Sequence, residues 1–337
     1  MDAETKRPII VVTGFLGSGK TTLLRHVLSA PSAQGTAVLV NEFGEVGLDH
    51  HLVRQLDEQT ILLNNGCVCC SVRDDLVQAL SSLLDQDQRG AISRIDRVVV
   101  ETTGLADPAP ILFTIGTDPM LRHHFRAGRV VVTVDAMNGQ RHLDRHAVSL
   151  KQVAVADDIV VTKTDLAPPE TVSALVARLR TLNPAAQLTT AVLGEVAPEL
   201  ILAPRHRHLS AGQRIAEATA PTDGQHVDGT RSVSLTFEQP LDWAAFSVWL
   251  SMLLYAHGED VLRVKGLLNV GEAGPVVLNG VQHIIHAPEH LPEWPDTDRR
   301  SHLIFILQGI EPQQIVQSLQ AFQHLLGAQP SLSDAVW

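Results

Sequence analysis

The segment that most constrains the fold of this chain is Gly14-Phe15-Leu16-Gly17-Ser18-Gly19-Lys20-Thr21, which fits the pattern G-x-x-x-x-G-K-[ST]. It follows the apolar run Pro8–Thr13 and opens a helical pattern, which is the strand–loop–helix context that this pattern requires. Glycines in such a loop let successive backbone N–H groups point at phosphate oxygens. In this loop, here called the phosphate loop, Lys20 would reach the β and γ oxygens, and the Thr21 hydroxyl would bind Mg²⁺.

The first 200 or so residues alternate apolar runs with helical patterns, and most of the runs are continuous, as is typical of strands buried on both faces. We therefore predict an α/β fold, a P-loop NTPase with a mostly parallel sheet flanked by helices. Ligands in such sheets bind beyond the carboxyl ends of the strands. The predicted strands are Pro8–Thr13, Thr36–Asn41, Thr60–Asn64, Arg97–Glu101, Arg129–Asp135, Asp158–Lys163 and Gln187–Val192, and the clearest helical stretches are Lys20–Ser29, Ser71–Leu84 and Pro169–Thr181.

This rhythm breaks after about residue 203, where prolines and glycines indicate a linker. Strands separated by hairpin-length loops then predict a smaller α+β domain with an antiparallel sheet. We predict a nucleotide-binding domain at 1–203, a linker at 204–231 and a second domain at 232–337. Its predicted elements are the strands Ser232–Phe237, Val261–Val270, Val276–His286 and His302–Gly309 and the helices Leu241–His257 and Glu311–Leu326.

An acidic motif, Glu101-Thr102-Thr103-Gly104, follows the apolar run Val98–Val100. Glu101 could hold the Mg²⁺ shell, and Gly104 could donate its N–H to the γ-phosphate. Aspartate is usual at the acid position, and the pattern E-x-x-G is common by chance. The motif gains weight because it follows a buried strand of the sheet that carries the phosphate loop.

The segment Thr162-Lys163-Thr164-Asp165, here called the guanine loop, resembles the guanine-reading pattern N-K-x-D. The Asp165 carboxylate would accept two hydrogen bonds from guanine that adenine cannot donate, and Lys163 would lie along the base plane. Thr162 stands where asparagine is usual, so an amide that bridges this loop to the phosphate loop is lost. We predict GTP, with ATP as the main rival and a charged turn as the structural alternative.

All three cysteines lie within four residues, Cys67, Cys69 and Cys70, at the end of a strand and the start of a helix. A helix N-terminus lowers the pKa of a thiol, and thiolate sulfur selects Zn²⁺, Co²⁺ or Cu(I) over Mg²⁺. A closed structural site has four ligands, so this one is open by at least one position. The alternatives are buried cysteines that pack as small hydrophobes and a redox-active vicinal pair.

The segment Asn41–Asp49 is the natural first switch, because it follows the next strand after the phosphate loop. Glu42 is a candidate additional ligand of the transition metal. Asp49 is a candidate for positioning the attacking water. Glu42, Glu45 or Asp49 could instead orient water or be solvated.

Composition restricts the partners. The formal net charge of −11 argues against nucleic acid, whose phosphates require a basic face. No apolar run approaches the roughly 20 residues of a membrane span. The polar start, Met1–Arg7, does not fit a signal peptide, so we expect a cytosolic protein with reduced thiols and no membrane partner.

Five motifs in order, GFLGSGKTTLL, NEFGEVGLD, NNGCVCC, ETTGLADP and TKTD, resemble the CobW family of metallochaperone P-loop GTPases, of the SIMIBI class. The stretches Arg263–Leu267 and Ile304–Leu307 resemble its C-terminal domain. The resemblance implies nucleotide contacts at Gly17, Ser18, Gly19, Lys20, Thr21, Thr22, Glu101, Gly104, Lys163 and Asp165, and a metal motif at Cys67, Cys69 and Cys70.

The resemblance also implies GTP hydrolysis coupled to delivery of Zn²⁺ or Co²⁺ to a client metalloprotein or metal-cofactor enzyme, with nucleotide-dependent dimerisation as a fair expectation. The chain departs from many members in its linker, which has only His206, His208 and His226 in place of a dense histidine tract. Storage of several metal ions is therefore in doubt. The rival functions are a regulatory or kinase-like P-loop protein with structural cysteines and a passive metal buffer.

Overall fold

The computed structural model describes residues 6–40, 60–62, 71–203, 229–325 and 332–336. The chain divides into two compact units. The first unit comprises Met1–Val176 and Gln187–Arg207, and the second comprises Ala177–Ala186 and His208–Trp337. The domain boundaries expected from the sequence stay predictions, since the short segment Ala177–Ala186 clusters with the second unit.

The first unit contains a sheet whose paired strands are all parallel, which agrees with the predicted α/β fold. Its strand order is β3-β2-β4-β1-β5-β6-β7. The strands are β1 (Arg7–Gly14), β2 (Thr36–Val40), β3 (Thr60–Leu62), β4 (Arg97–Glu101), β5 (Phe125–Asp135), β6 (Asp158–Thr162) and β7 (Gln187–Ala191).

Helices cover this sheet, so the apolar runs of its strands are buried on both faces. Ile10 and Val12 of β1 pack with Leu23 and Val27 of the first helix, and Val11, which points to the other face, is fully buried as well. The helices are α1 (Lys20–Leu28), α2 (Ser71–Gln88), α3 (Ala109–Thr117), α4 (Pro119–His124), α5 (Gly139–Arg145), α6 (Ala147–Val155), α7 (Pro169–Leu182) and α8 (Pro198–Leu202).

Where the strands of this sheet are described, their predicted first and last residues lie within about two residues of the observed ones. The exception is β5, which begins at Phe125, four residues before the predicted start at Arg129. Helices α3 to α6 and α8 were not among the predicted helical stretches. Helix α3 is apolar along most of its length, which removes the helical periodicity, and α4 has six residues with Asp118 as its N-cap. Strand β3, which precedes the cysteines, lies between β2 and β4 in the chain. In the sheet, however, β3 is the edge strand, next to β2.

The second unit is an antiparallel sheet whose strand order is β11-β10-β9-β13-β8-β14, with β12 paired to β10. Two helices cover one face, where Phe246, Trp249 and Ile315 meet Phe305 and Leu278 of the sheet. The elements are β8 (Thr230–Phe237), α9 (Trp243–His257), β9 (Val261–Leu268), β10 (Val276–Val281), β11 (Ile284–Ile285), β12 (Glu289–His290), β13 (Ser301–Gln308), α10 (Pro312–Leu325) and β14 (Leu332–Val336).

This unit departs from prediction in two places. The single strand expected over Val276–His286 is divided into β10 and β11, because the chain turns at Gln282 with a left-handed φ of 50°. Strand β14 was not predicted, and it pairs antiparallel with β8. Among the described helices of both units, none is long and apolar enough to cross a membrane.

Candidate functional site

The phosphate loop joins the end of β1 to the start of α1. Gly14 and Gly19 have left-handed φ angles of 139° and 94°, and Gly17 has a φ of 70°. A Cβ on Gly14 would collide with the carbonyl oxygen of Thr133 in β5, so this position requires glycine for space as well as for conformation. Gly19 is the N-cap of α1, so the loop ends at a helix N-terminus, where phosphate binding is favoured.

The ammonium group of Lys20 lies within this loop. Its Nζ donates to the carbonyl oxygens of Gly14 at 2.9 Å and Phe15 at 3.2 Å, and the residue is only 9% exposed. Since a buried charge needs polar partners, the loop carbonyls hold this ammonium at the carboxyl end of β1. Lys20, which is predicted to bind phosphate, therefore has its positive charge fixed next to the backbone of the loop.

The phosphate loop contacts the acidic motif through Thr21 and Glu101. The Thr21 hydroxyl donates to Glu101 Oε1 at 2.8 Å, and Glu101 is 5% exposed at the end of β4. The next residue, Thr102, hydrogen-bonds the Thr13 hydroxyl at 2.7 Å, which fixes the end of β4 against β1. A hydroxyl and a carboxylate at this separation are the hard oxygen ligands that Mg²⁺ prefers, so the residues present fit the ion.

Gly104 of the acidic motif lies against the phosphate loop. A Cβ on Gly104 would be 2.5 Å from the backbone nitrogen of Leu16, so only glycine allows this approach. Gln152 of α6 holds the motif from the other side, donating to the carbonyl oxygens of Gly104 at 3.3 Å and Ala106 at 2.9 Å. The structure thus brings the two predicted phosphate-contacting segments together.

The guanine loop is joined to the phosphate loop by two side chains. The Thr162 hydroxyl donates to the Ser18 carbonyl oxygen at 2.7 Å, and Lys163 Nζ donates to the Gly17 carbonyl oxygen at 2.7 Å. The asparagine amide that usually bridges the loops is absent, as expected, but the Thr162 hydroxyl makes a bridge in its place. A shorter side chain suffices because β6 brings Thr162 within reach of the Ser18 backbone.

Asp165 is exposed, and no hydrogen bond to its carboxylate is found within the described part of the chain. Exposed apolar residues also follow β6 and β7 at this end of the sheet: Leu166 comes after the guanine loop, and Val192 and Leu193 come after β7. The residues that follow β7 were not predicted to lie near this loop. Two features mark this turn: Leu193 has a left-handed φ of 50°, and a Cβ added to Gly194 would meet the backbone of α1. Neither feature can be recognised from the sequence.

Asp135, at the end of β5, is a further site residue that the sequence analysis missed. Its Oδ2 accepts hydrogen bonds from Lys163 Nζ at 2.9 Å and Asn138 Nδ2 at 3.1 Å, and its Oδ1 accepts from Met137 N at 2.8 Å. Burial raises the pKa of this carboxyl, but the hydrogen bonds from Lys163, Asn138 and Met137 outweigh it, so the pKa is lowered. The group is therefore an anion at neutral pH.

The ring of Phe15 in the phosphate loop contacts two imidazoles, which also contact each other. Its centroid is 4.4 Å from that of His142 and 4.5 Å from that of His146. Burial, together with the nearby cations, lowers the pKa of His142 despite the opposing charge of Asp135. The spacing of four residues between the histidines was visible in the sequence, but nothing in it linked them to Phe15.

The remaining predicted site residues lie outside the described part of the chain. They are Glu42 and Asp49, which follow β2, and Cys67, Cys69 and Cys70, which follow β3. No group of three or more His, Cys, Asp or Glu side chains suited to a metal ion occurs among the residues that are described.

A glycine loop that ends at a helix N-terminus, a hydroxyl–carboxylate pair beside it and a T-K-x-D loop hydrogen-bonded to it are typical of a P-loop GTPase. Residues 8–190 match the model of the CobW/HypB/UreG nucleotide-binding domain, and residues 230–323 match that of the cobalamin synthesis protein cobW C-terminal domain. The chain belongs to the CobW/HypB/UreG family, which confirms the resemblance drawn from its motifs.

Several relatives cover most of the chain, among them two from distant organisms. The zinc chaperone YjiA of Escherichia coli is 33% identical over 88% of this chain and 93% of its own. The zinc-regulated GTPase metalloprotein activator 1 of Schizosaccharomyces pombe is 27% identical over 82% of this chain and 75% of its own. The crystal structure of Zn(II)-bound YjiA GTPase covers 96% of this chain and 99% of its own, with a TM-score of 0.70 and 27% identity.

Proposed function

We propose that this chain is a GTP-hydrolysing metal chaperone that binds a divalent transition metal and delivers it to a client metalloprotein or metal-cofactor enzyme. The observation that carries the nucleotide part is the 2.8 Å contact between Thr21 and Glu101, which joins the phosphate loop to the acidic strand end. The metal part rests on the cysteine segment and on the zinc chaperone to which the chain is 33% identical.

Each residue of the nucleotide site has a proposed role that follows from its chemistry. Lys20 binds the β- and γ-phosphates, while Thr21 and Glu101 hold Mg²⁺, which neutralises the phosphate charge when bound. Lys163 lies along the base, and Asp165 accepts from the N1 and N2 donors of guanine. Backbone and hydroxyl groups that bind the nucleotide come from Gly14, Gly17, Ser18, Gly19, Thr22, Gly104 and Thr162.

The proposed metal ligands are Cys67, Cys69 and Cys70, with Glu42 as an additional ligand, and Asp49 is proposed to position the attacking water. A variant of YjiA with one glutamate and two cysteines replaced by alanine also has a Zn(II)-bound crystal structure. Zinc is favoured over cobalt, because YjiA is a zinc chaperone and the Schizosaccharomyces pombe relative is a zinc-regulated GTPase metalloprotein activator. A cytosolic location and a nucleotide-dependent homodimer stay predictions.

Metal affinity measured in both nucleotide states tests the coupling. We expect Zn²⁺ to bind with different affinity in the presence of a non-hydrolysable GTP analogue and of GDP, by about 5–150-fold for a typical allosteric coupling. By linkage, Zn²⁺ must change the affinity for the GTP analogue by the same factor. Equal Zn²⁺ affinities in the two states would exclude a GTP-driven carrier.

Two variants separate the rival functions. Replacing Cys67, Cys69 and Cys70 by serine should abolish tight Zn²⁺ binding and transfer to a chelator or client, whereas a regulatory protein with structural cysteines would keep its client function. Lys20→Ala should abolish GTP hydrolysis and nucleotide-dependent release. Unchanged delivery by Lys20→Ala would instead identify a passive metal buffer.

A further inference from the structure

The side chain of Lys163 is held at two points. Its Nζ donates to the Gly17 carbonyl oxygen at 2.7 Å and to Asp135 Oδ2 at 2.9 Å. Its backbone is left-handed, with a φ of 57°, which is uncommon for a residue with a side chain. The lysine of the guanine loop is therefore fixed by its partners and by its backbone, although its side chain is 37% exposed.

Asp135 is well suited to act as an anchor for this lysine. Its side chain is 3% exposed, and it is the last residue of β5, directly beside Thr162 in the register of β6. The Ala136 N–H donates to the Thr162 carbonyl oxygen at 2.9 Å, so the two strand ends are tied together just before Lys163. The position of the carboxylate is thus set by the sheet itself.

Two of the three donors to this carboxylate come from its own turn, Met137 N and Asn138 Nδ2. These contacts would be enough to hold the turn that follows β5. The third donor, Lys163, comes from the neighbouring strand end and from the loop proposed to read the base. A role limited to the turn does not account for this third contact.

We propose that Asp135 is a positioning residue that holds Lys163 against the phosphate loop and thereby sets the affinity for guanine nucleotides. The proposal rests on the GTPase function proposed above. A lysine side chain loses substantial rotamer entropy when it is ordered. Because Asp135 orders Lys163 before the nucleotide binds, nucleotide binding does not have to supply this entropy cost. Without the carboxylate, nucleotide binding would have to order Lys163, so binding would weaken while hydrolysis of bound GTP would continue.

The test compares Asp135→Asn, Lys163→Met and the double variant in full-length protein, by titration with a fluorescent GDP analogue and by GTPase kinetics. We expect Asp135→Asn to raise the Kd for GDP and the KM for GTP by roughly 10-fold, the lower range for loss of a charge-assisted hydrogen bond, with kcat within about 2-fold. Because Asp135 acts through Lys163, the double variant should bind GDP no worse than Lys163→Met alone.

The matched control is Asp157→Asn, which alters another buried carboxylate of the same unit. Asp157 directly precedes β6, at its amino end, and its Oδ2 accepts a hydrogen bond from Val130 N at 3.0 Å. It should lower the melting temperature and leave the Kd for GDP unchanged. If Asp135→Asn fails to fold, Asn138→Ala replaces it, since Asn138 orients the same Oδ2. A smaller rise in the Kd for GDP, about 2–5-fold, is then expected.

Independent, multiplicative effects of the two substitutions would overturn the proposal, as would an unchanged Kd in a folded Asp135→Asn or Asn138→Ala variant. A fall in kcat with an unchanged KM would also overturn it. Failure of the GTPase function has a different signature: the unmodified protein itself would bind neither GDP nor the GTP analogue.

Discussion

The hydroxyl of Thr162 donates a 2.7 Å hydrogen bond to the carbonyl oxygen of Ser18, 144 positions earlier in the chain. This bond connects the end of β6 to the centre of the phosphate loop. It lies beside the Lys163–Gly17 bond, so the loops proposed to bind the base and the phosphates form one hydrogen-bonded unit. Threonine thus makes the connection that the usual asparagine was expected to provide.

Loss of this hydroxyl should weaken nucleotide binding. Thr162→Val keeps the shape of the side chain but leaves the Ser18 carbonyl oxygen without this donor, so we expect the Kd for GDP to rise roughly 5-fold. Titration with a fluorescent GDP analogue measures the change. Thr162→Ser keeps the hydroxyl and is the control; if it binds as weakly as the valine variant, the methyl group and not the hydrogen bond matters.

The Thr21–Glu101 pair should control the dependence on Mg²⁺. Glu101→Gln retains the size of the side chain and removes its charge, so we expect kcat for GTP to fall about 100-fold or more and the Mg²⁺ concentration for half-maximal activity to rise. Glu101→Asp keeps the charge and should retain part of the activity. An unaltered Mg²⁺ requirement in Glu101→Gln would assign Glu101 a structural role only.

The buried ion pair between Arg129 and Asp158 should contribute to stability and not to the site. Their Nε and Oδ2 atoms are 3.2 Å apart, and both side chains are at most 6% exposed. Asp158→Ala leaves the guanidinium buried without this partner, so the free energy of unfolding should fall by about 3–5 kcal/mol.

Urea denaturation measures this loss, and the exposed pair Asp85–Arg89 supplies the control. Asp85→Ala should lower the free energy of unfolding by no more than about 1 kcal/mol. Similar losses in the two variants would mean that burial does not distinguish the pairs.

Stability should depend on pH through Asp298. Hydrogen bonds from the Arg300 guanidinium lower the pKa of this carboxyl, whereas burial raises it. The backbone N–H of Arg300 and the His302 imidazole lower the pKa further, so it lies well below its usual value. Because the folded chain has the lower pKa, the stabilisation is present above the usual aspartate value of about 3.9 and is lost as the pH falls below it.

The measurement is the difference in melting temperature between the unmodified chain and Asp298→Asn. It should be constant from about pH 7 to pH 5 and shrink below about pH 4. A difference for Asp298→Asn that persists unchanged to pH 3 would contradict the assignment.

The parts of the site that were predictable carry a local pattern. Glycine spacing fixes the phosphate loop, and the position of Glu101 after an apolar run places it at the same edge of a parallel sheet. The contact between Thr21 and Glu101 follows from these two facts. The fold class follows from the alternation of apolar runs with helical stretches, which is why the sheet was predicted well.

The parts that were not predictable depend on tertiary contacts. Asp135 is a single aspartate after an apolar run, and only the register of β5 and β6 brings it to Lys163. The apolar helix α3 has no polar face to give it a period. Strand β14 is defined by its pairing with β8, which lies far from it in the chain.

The strand order divides the carboxyl edge of the first sheet into two halves, with β1 between them. On one side are β4, β2 and β3, from which the chain continues into the segments of Glu42 and the three cysteines; on the other are β5, β6 and β7 with the base-reading residues. Neighbouring strands are about 4.8 Å apart, so β3 and β6 are separated by roughly 24 Å. We therefore expect the metal affinity proposed for the cysteine segment to depend on the γ-phosphate and not on the identity of the base.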